Sequence, residues 1–141
     1  MELESTRGVA VVSDASQIFF EETKVPSAVR NGSTVWVTGQ TGDLPDGTVI
    51  EPVEEQIRRA FANVRDCLAA AGASWSDVVE VTTYSVGLRS HAEVMLSVAG
   101  EFLASPFPAW TAIGVAELWE GAVFEMKCVA VVQPPLNPPV I

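Results

Sequence analysis

The strongest hydrophobic pattern lies between residues 51 and 72, "EPVEEQIRRAFANVRDCLAAAG". Its apolar positions are three or four residues apart and form one face of an α-helix: Val53, Ile57, Phe61, Val64, Leu68 and Ala71. Pro52 and the glutamates around it suit the first turn, whereas Gly72 favours a stop. The segment therefore predicts one long amphipathic helix that buries its apolar face.

Strand-like patterns occur on both sides of this helix. Residues 27–40, "SAVRNGSTVWVTGQ", predict a β-hairpin, because Asn31-Gly32 between β-forming residues favours a type I′ turn. Further strands are predicted at residues 8–13, from about residue 78, at 110–116 and at 123–132. A second helix is predicted within residues 90–104, with Ser90 as its N-cap. The first eight residues are expected to fray, and the prolines of residues 133–141 predict an extended tail that cannot add a central strand.

This order of elements predicts a single α+β domain over residues 1–141, a mixed sheet with two helices packed on one face. The last strand adds a detail. One of its faces is wholly apolar, but the other is also mostly apolar: Val123, Glu125, Lys127, Val129 and Val131. In a monomer that second face would be solvated and polar. The alternation therefore predicts that another copy of the chain covers it.

Composition and charge exclude several function classes. The formal net charge of −10 and the scattered basic residues argue against nucleic-acid binding, which needs Lys and Arg to neutralise phosphates. No apolar run approaches the length of a membrane span, and no signal-peptide pattern occurs, so we expect a cytoplasmic protein that binds no membrane. Cys67 and Cys128 are expected to be buried free thiols. His91 is the only histidine, and no pattern predicts a metal site, a catalytic triad or a cofactor.

Few residues are candidates for chemistry on the pattern alone. Glu125 lies in the middle of a strand, on the face expected to be covered. It is therefore either paired with a cation, Lys127 or a neighbour's basic residue, or it has a chemical role, in which it orients water or moves a proton. Arg89 follows a strand and is either solvated or an anion clamp. In Thr38-Gly39-Gln40, the glycine permits close approach of a ligand to the backbone. The tryptophans, including Trp110, are by composition more often core residues than binding-site walls.

Several ordered motifs resemble one known family. "NGSTVWVTGQTG", the long helix with the strand that follows it, and "FPAWTAIGVAEL" with "GAVFEMKCVAV" are similar to the Rid (YjgF-type) reactive-intermediate deaminases over residues 25–132. The resemblance implies a chorismate-mutase-like fold and a homotrimer whose sheets form a central barrel. It also implies ligand clefts between subunits and the hydrolysis of enamines and imines, such as 2-aminoacrylate, to keto acids and ammonia.

The resemblance also assigns expected site residues. Glu125 falls at the position of a glutamate that orients the hydrolytic water. Trp110, in "PAWT", stands where active relatives carry a carboxylate-binding arginine. Arg89 falls where an asparagine is common, and Val25 where a tyrosine often lines the cleft. The expected substrate-binding residues are therefore Trp110, Arg89, Thr38, Gly39, Gln40, Thr111, Ala112 and Val25.

Three functions are consistent with these observations. The first is a Rid-like enzyme of small molecules, a hydrolase, deaminase or proton-transfer catalyst, whose substrate is altered because Trp110 replaces the arginine. The second is a non-catalytic metabolite-binding or regulatory trimer that uses the same cleft. The third, a ribonuclease or translation inhibitor, is least favoured because of the net charge of −10.

Overall fold

The computed structural model describes residues 1–133, in which seven strands and three α-helices form one α+β unit. The proline-rich segment after Gln133 lies outside the described residues. The strands are β1 (Glu2–Ser5), β2 (Gly8–Val11), β3 (Ala28–Asn31), β4 (Thr34–Thr41), β5 (Val78–Ser85), β6 (Ala109–Gly114) and β7 (Phe124–Val131). The helices are α1 (Gln17–Thr23), α2 (Val53–Ala70) and α3 (Leu88–Phe102).

A single mixed sheet organises the molecule, in the strand order β1-β2-β3-β4-β7-β5-β6. Its neighbours pair antiparallel except β5 and β6, which are parallel and are connected through α3. Two neighbouring parallel strands need such a crossover, because a tight hairpin turn would make the second strand antiparallel to the first. This arrangement confirms the α+β class predicted above and leaves β6 at the edge of the sheet.

The helix α2 provides the centre of the core. Its predicted apolar stripe is confirmed, since Ile57, Phe61, Val64 and Leu68 have no exposed surface. The Phe61 ring lies 5.3 to 6.4 Å, centroid to centroid, from four other aromatic rings: Phe102, Trp75, Phe124 and Trp110. Residues of β4, β5 and β7 complete the same hydrophobic cluster. Because the helix and the strands bury one continuous apolar volume, the sheet and α2 depend on each other for stability.

The N-terminal residues differ from the expectation. They form a strand rather than a frayed end, because Leu3 pairs with Ala10 and the Met1 amine donates to the Val12 carbonyl oxygen at 2.9 Å. The sequence "ELES" has no apolar face, and all four of these residues are exposed. Backbone hydrogen bonds to β2, rather than side-chain burial, hold this strand.

Two further local expectations are corrected. The second helix begins at Leu88, with Gly87 in the left-handed N-cap position (φ 78°), so Ser90 is a helical residue and not the cap. In the hairpin, Asn31 pairs with Thr34, which leaves Gly32 and Ser33 as the loop. Only Gly32 there has a positive φ, as a type II′ turn requires, rather than the expected type I′. The short helix α1 was not predicted, because its seven residues show no extended periodicity.

The alternation predicted for the last strand is present in β7. Phe124, Met126, Cys128 and Ala130 are at most 4% exposed, whereas Val129 and Val131 are only half-buried. Trp36, the partner of Val129 on β4, keeps 48% of its surface exposed. This sheet face therefore carries apolar side chains in contact with solvent in a single chain. Coverage by a second copy stays a prediction.

The two cysteines are free and buried, as expected. Burial raises the pKa of both thiols to about 12, so they are protonated at neutral pH and unreactive as nucleophiles. None of the helices within residues 1–133 is long and apolar enough to cross a membrane. Over the same residues, no group of three or more His, Cys, Asp or Glu side chains is arranged to hold a metal ion.

We expect Phe61→Ala to lower the free energy of unfolding by about 3–5 kcal/mol, because it leaves a cavity between α2 and the sheet. The same change at Phe19, which is 42% exposed, should cost about 1 kcal/mol. Urea unfolding of both variants checks the difference. Equal losses would show that the aromatic cluster around Phe61 is not the centre of the core.

Candidate functional site

A β-bulge in β4 shapes the candidate site. Val37 pairs with Cys128 and Gln40 with Met126, so Thr38 and Gly39 together stand opposite Lys127 alone. The bulged residues bond to the segment before β3 instead: Thr38 donates its N–H to the Ser27 carbonyl oxygen at 2.9 Å and its hydroxyl to that of Pro26 at 2.7 Å. Bulges interrupt pairing and redirect side chains, and they are frequent beside functional sites.

Gly39 makes room for the Glu125 side chain. A Cβ atom at position 39 would lie 3.0 Å from the Glu125 Cδ and 3.1 Å from its Oε1, closer than ordinary van der Waals contact. Any larger residue at 39 would therefore displace the carboxylate. The sequence predicted close approach of a ligand at this glycine, and the structure shows close approach of a carboxylate.

The Glu125 carboxylate has no hydrogen bond or ion pair with any residue in the described part of the chain. In particular, it does not pair with Lys127, which was one interpretation of its position. Glu125 is half-buried, and this burial raises the pKa of its carboxyl above the ordinary glutamate value. A partly desolvated, unpaired carboxylate with a raised pKa is typical of general bases.

Glu125 opens onto a cavity of about 370 Å³. Its walls are residues 13–27, which include α1, the bulge of β4 with the loop after it, the C-terminal half of α2 and the turn at Trp119–Gly121. Three of the predicted site residues, Gly39, Gln40 and Glu125, line this cavity together. The volume is within the range of small-molecule sites.

Polar residues of α2 fix the loops around the cavity. The Gln56 side chain is buried; it accepts a hydrogen bond from the Val123 N–H at 2.7 Å and donates to the Ile50 carbonyl oxygen at 3.0 Å. The Asn63 amide donates to the carbonyl oxygens of Thr41 and Asp43. One helix thus holds both the start of β7, where Glu125 lies, and the loop that follows β4.

Sequence reasoning missed Asp43, Asn63 and Gln56. Burial raises the pKa of the Asp43 carboxyl, while the nearby Arg59 partly opposes this effect. Gln56 and Asn63 border the apolar stripe of α2. Their position at the edge of that stripe is the sequence feature that could have predicted a buried polar role. Buried amides must find hydrogen-bond partners, and here those partners are the backbone of the site loops.

The other predicted site residues do not line this cavity in a single chain. Trp110, Thr111 and Ala112 lie on the edge strand β6. The Trp110 indole packs against Phe61 and Phe107, and its Nε1 donates to the buried Thr83 Oγ1 at 3.0 Å. Arg89 is exposed in the first turn of α3, and Val25 is exposed just after α1.

The chain is similar to known proteins both in sequence and in fold. Residues 22–132 match the family model described as Endoribonuclease L-PSP. The chain is 36% identical over 122 residues to the RutC family protein YjgH of Escherichia coli (strain K12), covering 86% of this chain and 92% of that protein. It is 34% identical over 108 residues to the 2-iminobutanoate/2-iminopropanoate deaminase of Dermatophagoides farinae, covering 75% and 84% of the two chains. The solved structure of protein YJGH superposes with a TM-score of 0.84 at 33% identity, covering 92% of this chain and 99% of that one.

Glu125 should make folding stability depend on pH in a defined direction. Because its pKa is raised in the folded protein, the folded state holds this proton more tightly than the unfolded chain. Stability should therefore fall as pH rises from the ordinary glutamate pKa through the raised one. Glu125→Gln should remove this loss, which urea unfolding from about pH 4 to about pH 8 would measure.

Glu101→Gln is the matched control with the opposite sign. A hydrogen bond from Arg58 lowers the pKa of Glu101, so Glu101 stabilises the fold above its ordinary pKa and loses that effect as pH falls. If the Glu125 variant kept the pH dependence of the wild type, its carboxyl would not be desolvated as described.

Proposed function

The chain belongs to the Rid (YjgF-type) reactive-intermediate deaminase family, and from that membership we propose that it hydrolyses carbon–nitrogen double bonds of small molecules. The observation that carries the proposal is the unpaired Glu125 carboxylate, set against Gly39 and open to the cavity. The imine deaminase among the relatives supports the same class of reaction.

In the proposed reaction, Glu125 accepts a proton from a water molecule as the water oxygen bonds to the imine carbon. The substrate is a protonated imine, so its carbon–nitrogen double bond becomes a single bond and the electron pair moves to the nitrogen, which gives a neutral carbinolamine. Glu125 then returns its proton to the nitrogen. The carbon–nitrogen bond breaks as Glu125 takes the proton of the hydroxyl group, so that ammonia leaves and a carbonyl compound remains, and the released ammonia takes that proton from Glu125. The raised pKa of Glu125 suits both steps, because a general base and acid works best with a pKa close to the working pH.

We propose a homotrimer, the assembly that the family resemblance implies, because the predicted site residues form two groups in a single chain. Gly39, Gln40 and Glu125 line the cavity, whereas Trp110 and its neighbours lie on the edge strand β6. If β6 of one copy packed beside the cavity of the next, both groups would meet in one cleft. The exposed apolar side chains around Trp36 would be covered in the same assembly.

The substrate is proposed to differ from 2-aminoacrylate. Position 110 carries an indole, which has one neutral donor where a guanidinium has five charged ones. That donor already bonds to Thr83. A carboxylate clamp at this position is therefore absent, and loss of one partner in such a pair costs about 2–5 kcal/mol of binding.

Two other functions compete with this proposal. A binding protein that retains the cleft without catalysis would bind ligands and release no ammonia. The family description names an endoribonuclease, but the net charge of −10 opposes the phosphate contacts that RNA binding requires.

We expect the wild type to release ammonia faster from benzaldimine, the carboxylate-free imine formed by oxidation of benzylamine, than from 2-aminoacrylate. Glu125→Gln should lower this rate by about 10²- to 10⁴-fold, the range for loss of a general base. A coupled ammonia assay, corrected for spontaneous hydrolysis, measures both rates. Binding without turnover of any imine would favour the non-catalytic function, and unchanged turnover in the variant would remove Glu125 from the mechanism.

We expect Trp110→Arg to gain affinity for small carboxylates and hydrolysis of 2-aminoacrylate, since it restores a bidentate cation. Trp110→Phe is the control, because it removes the bond to Thr83 without adding charge. Circular dichroism and sedimentation confirm folding and assembly first. If a folded arginine variant gained neither property, Trp110 would have only a packing role.

A further inference from the structure

The walls of the cavity carry charge of one sign. Six acidic side chains line it: Glu22, Asp43, Asp46, Asp66, Glu120 and Glu125. Within the described residues, none of its lining side chains is a lysine, arginine or histidine. A cavity lined in this way attracts cations and repels anions.

Three of these carboxylates are already occupied within the fold. Asp43 Oδ1 accepts from the Asn63 amide at 3.2 Å, and Asp46 caps the Thr48 N–H at 2.9 Å. Asp66 pairs with Arg65. Glu22, Glu120 and Glu125 form no hydrogen bond or ion pair through their carboxylates within residues 1–133. These three can therefore act on a ligand.

The nearby cations offset this charge only in part, through Arg65 at Asp66 and Arg59 near Asp43. Arg59 directs its Nε to the Asp43 carbonyl oxygen at 3.4 Å, and Lys24 directs its Nζ to the Glu21 carbonyl oxygen at 2.7 Å. Neither residue lines the cavity. Arg89, the candidate anion clamp, is on α3 and does not line it either.

Large apolar side chains lie around the same space. Trp119 is 64% exposed, and Ile18 and Phe19 of α1 are also exposed. Exposure of this size is unusual for neighbouring large apolar residues, and it indicates a surface that binds apolar material. Aromatic faces combined with carboxylates are also the groups that recognise organic cations, through cation–π attraction and charge.

On the basis of the proposed function, we propose that this cavity binds a cationic ligand without a carboxylate, a protonated imine or amine attached to an aryl or alkyl group. The nitrogen would lie toward the carboxylates, and the apolar group against Trp119 and Phe19. A protonated imine is also the more electrophilic form, so the same charges that bind it favour attack of water beside Glu125.

Three probes of similar size and different charge test the proposal: 2-phenylethylamine, 2-phenylethanol and 3-phenylpropanoate. Isothermal titration with the full chain should give the tightest binding for the amine and the weakest for the carboxylate. Added salt should weaken binding of the amine alone. Glu22→Gln and Glu120→Gln should each weaken amine binding about 2- to 5-fold and leave the alcohol unchanged, as expected for partly exposed charge pairs.

Glu21→Gln is the matched control, because Glu21 is exposed on α1 next to Glu22 but does not line the cavity. It should leave binding of the amine unchanged. Trp119→Phe should weaken binding of the amine and the alcohol together. Leu96→Ala, which changes an exposed apolar residue of α3 that does not line the cavity, should affect neither.

The outcomes separate this inference from the proposed function. Equal or tighter binding of 3-phenylpropanoate, or equal effects of the Glu21 and Glu22 substitutions, would overturn the inference even if imines are hydrolysed. Selective amine binding without ammonia release from any imine would support the inference for the cavity and overturn the enzymatic proposal.

Discussion

Burial of the apolar stripe of α2 against the sheet is the interaction on which the rest of this structure depends. Phe61 lies at its centre, with aromatic rings from α3, β6, β7 and the turn before β5 around it. The same helix carries Gln56 and Asn63, whose amides hold the loops of the cavity. A change in how α2 sits on the sheet would therefore alter both the core and the candidate site.

The site combines two features that oppose stability. Glu125 is partly removed from water without a counter-ion, and the bulge of β4 gives up ladder hydrogen bonds beside it. Both cost free energy and both place an unpaired carboxylate at a cavity. Functional sites commonly carry such costs, and here the well-packed α2–sheet core compensates for them.

Trp110 belongs to the core of the single chain as well as to the proposed site. The indole extends the aromatic cluster of the core, and its N–H is satisfied by a buried threonine. A guanidinium could not be buried in this way without a counter-charge. A substitution at this position would therefore alter the packing of the core.

The sequence alone determined α2, most strand positions and the buried face of β7, because these elements bury apolar side chains at the periods of a helix or a strand. It also pointed to Glu125 and Gly39, a carboxylate within an apolar pattern and a glycine in a strand. Tertiary structure decided what depends on neighbours distant in sequence. The strand at Glu2–Ser5 exists because β2 offers backbone partners, and the bulge and the bonds of Gln56 join segments that no local pattern connects. The negative charge of the cavity likewise arises only when five separate segments fold around one space. The interaction between charges depends on their distance in space and not on their separation along the chain.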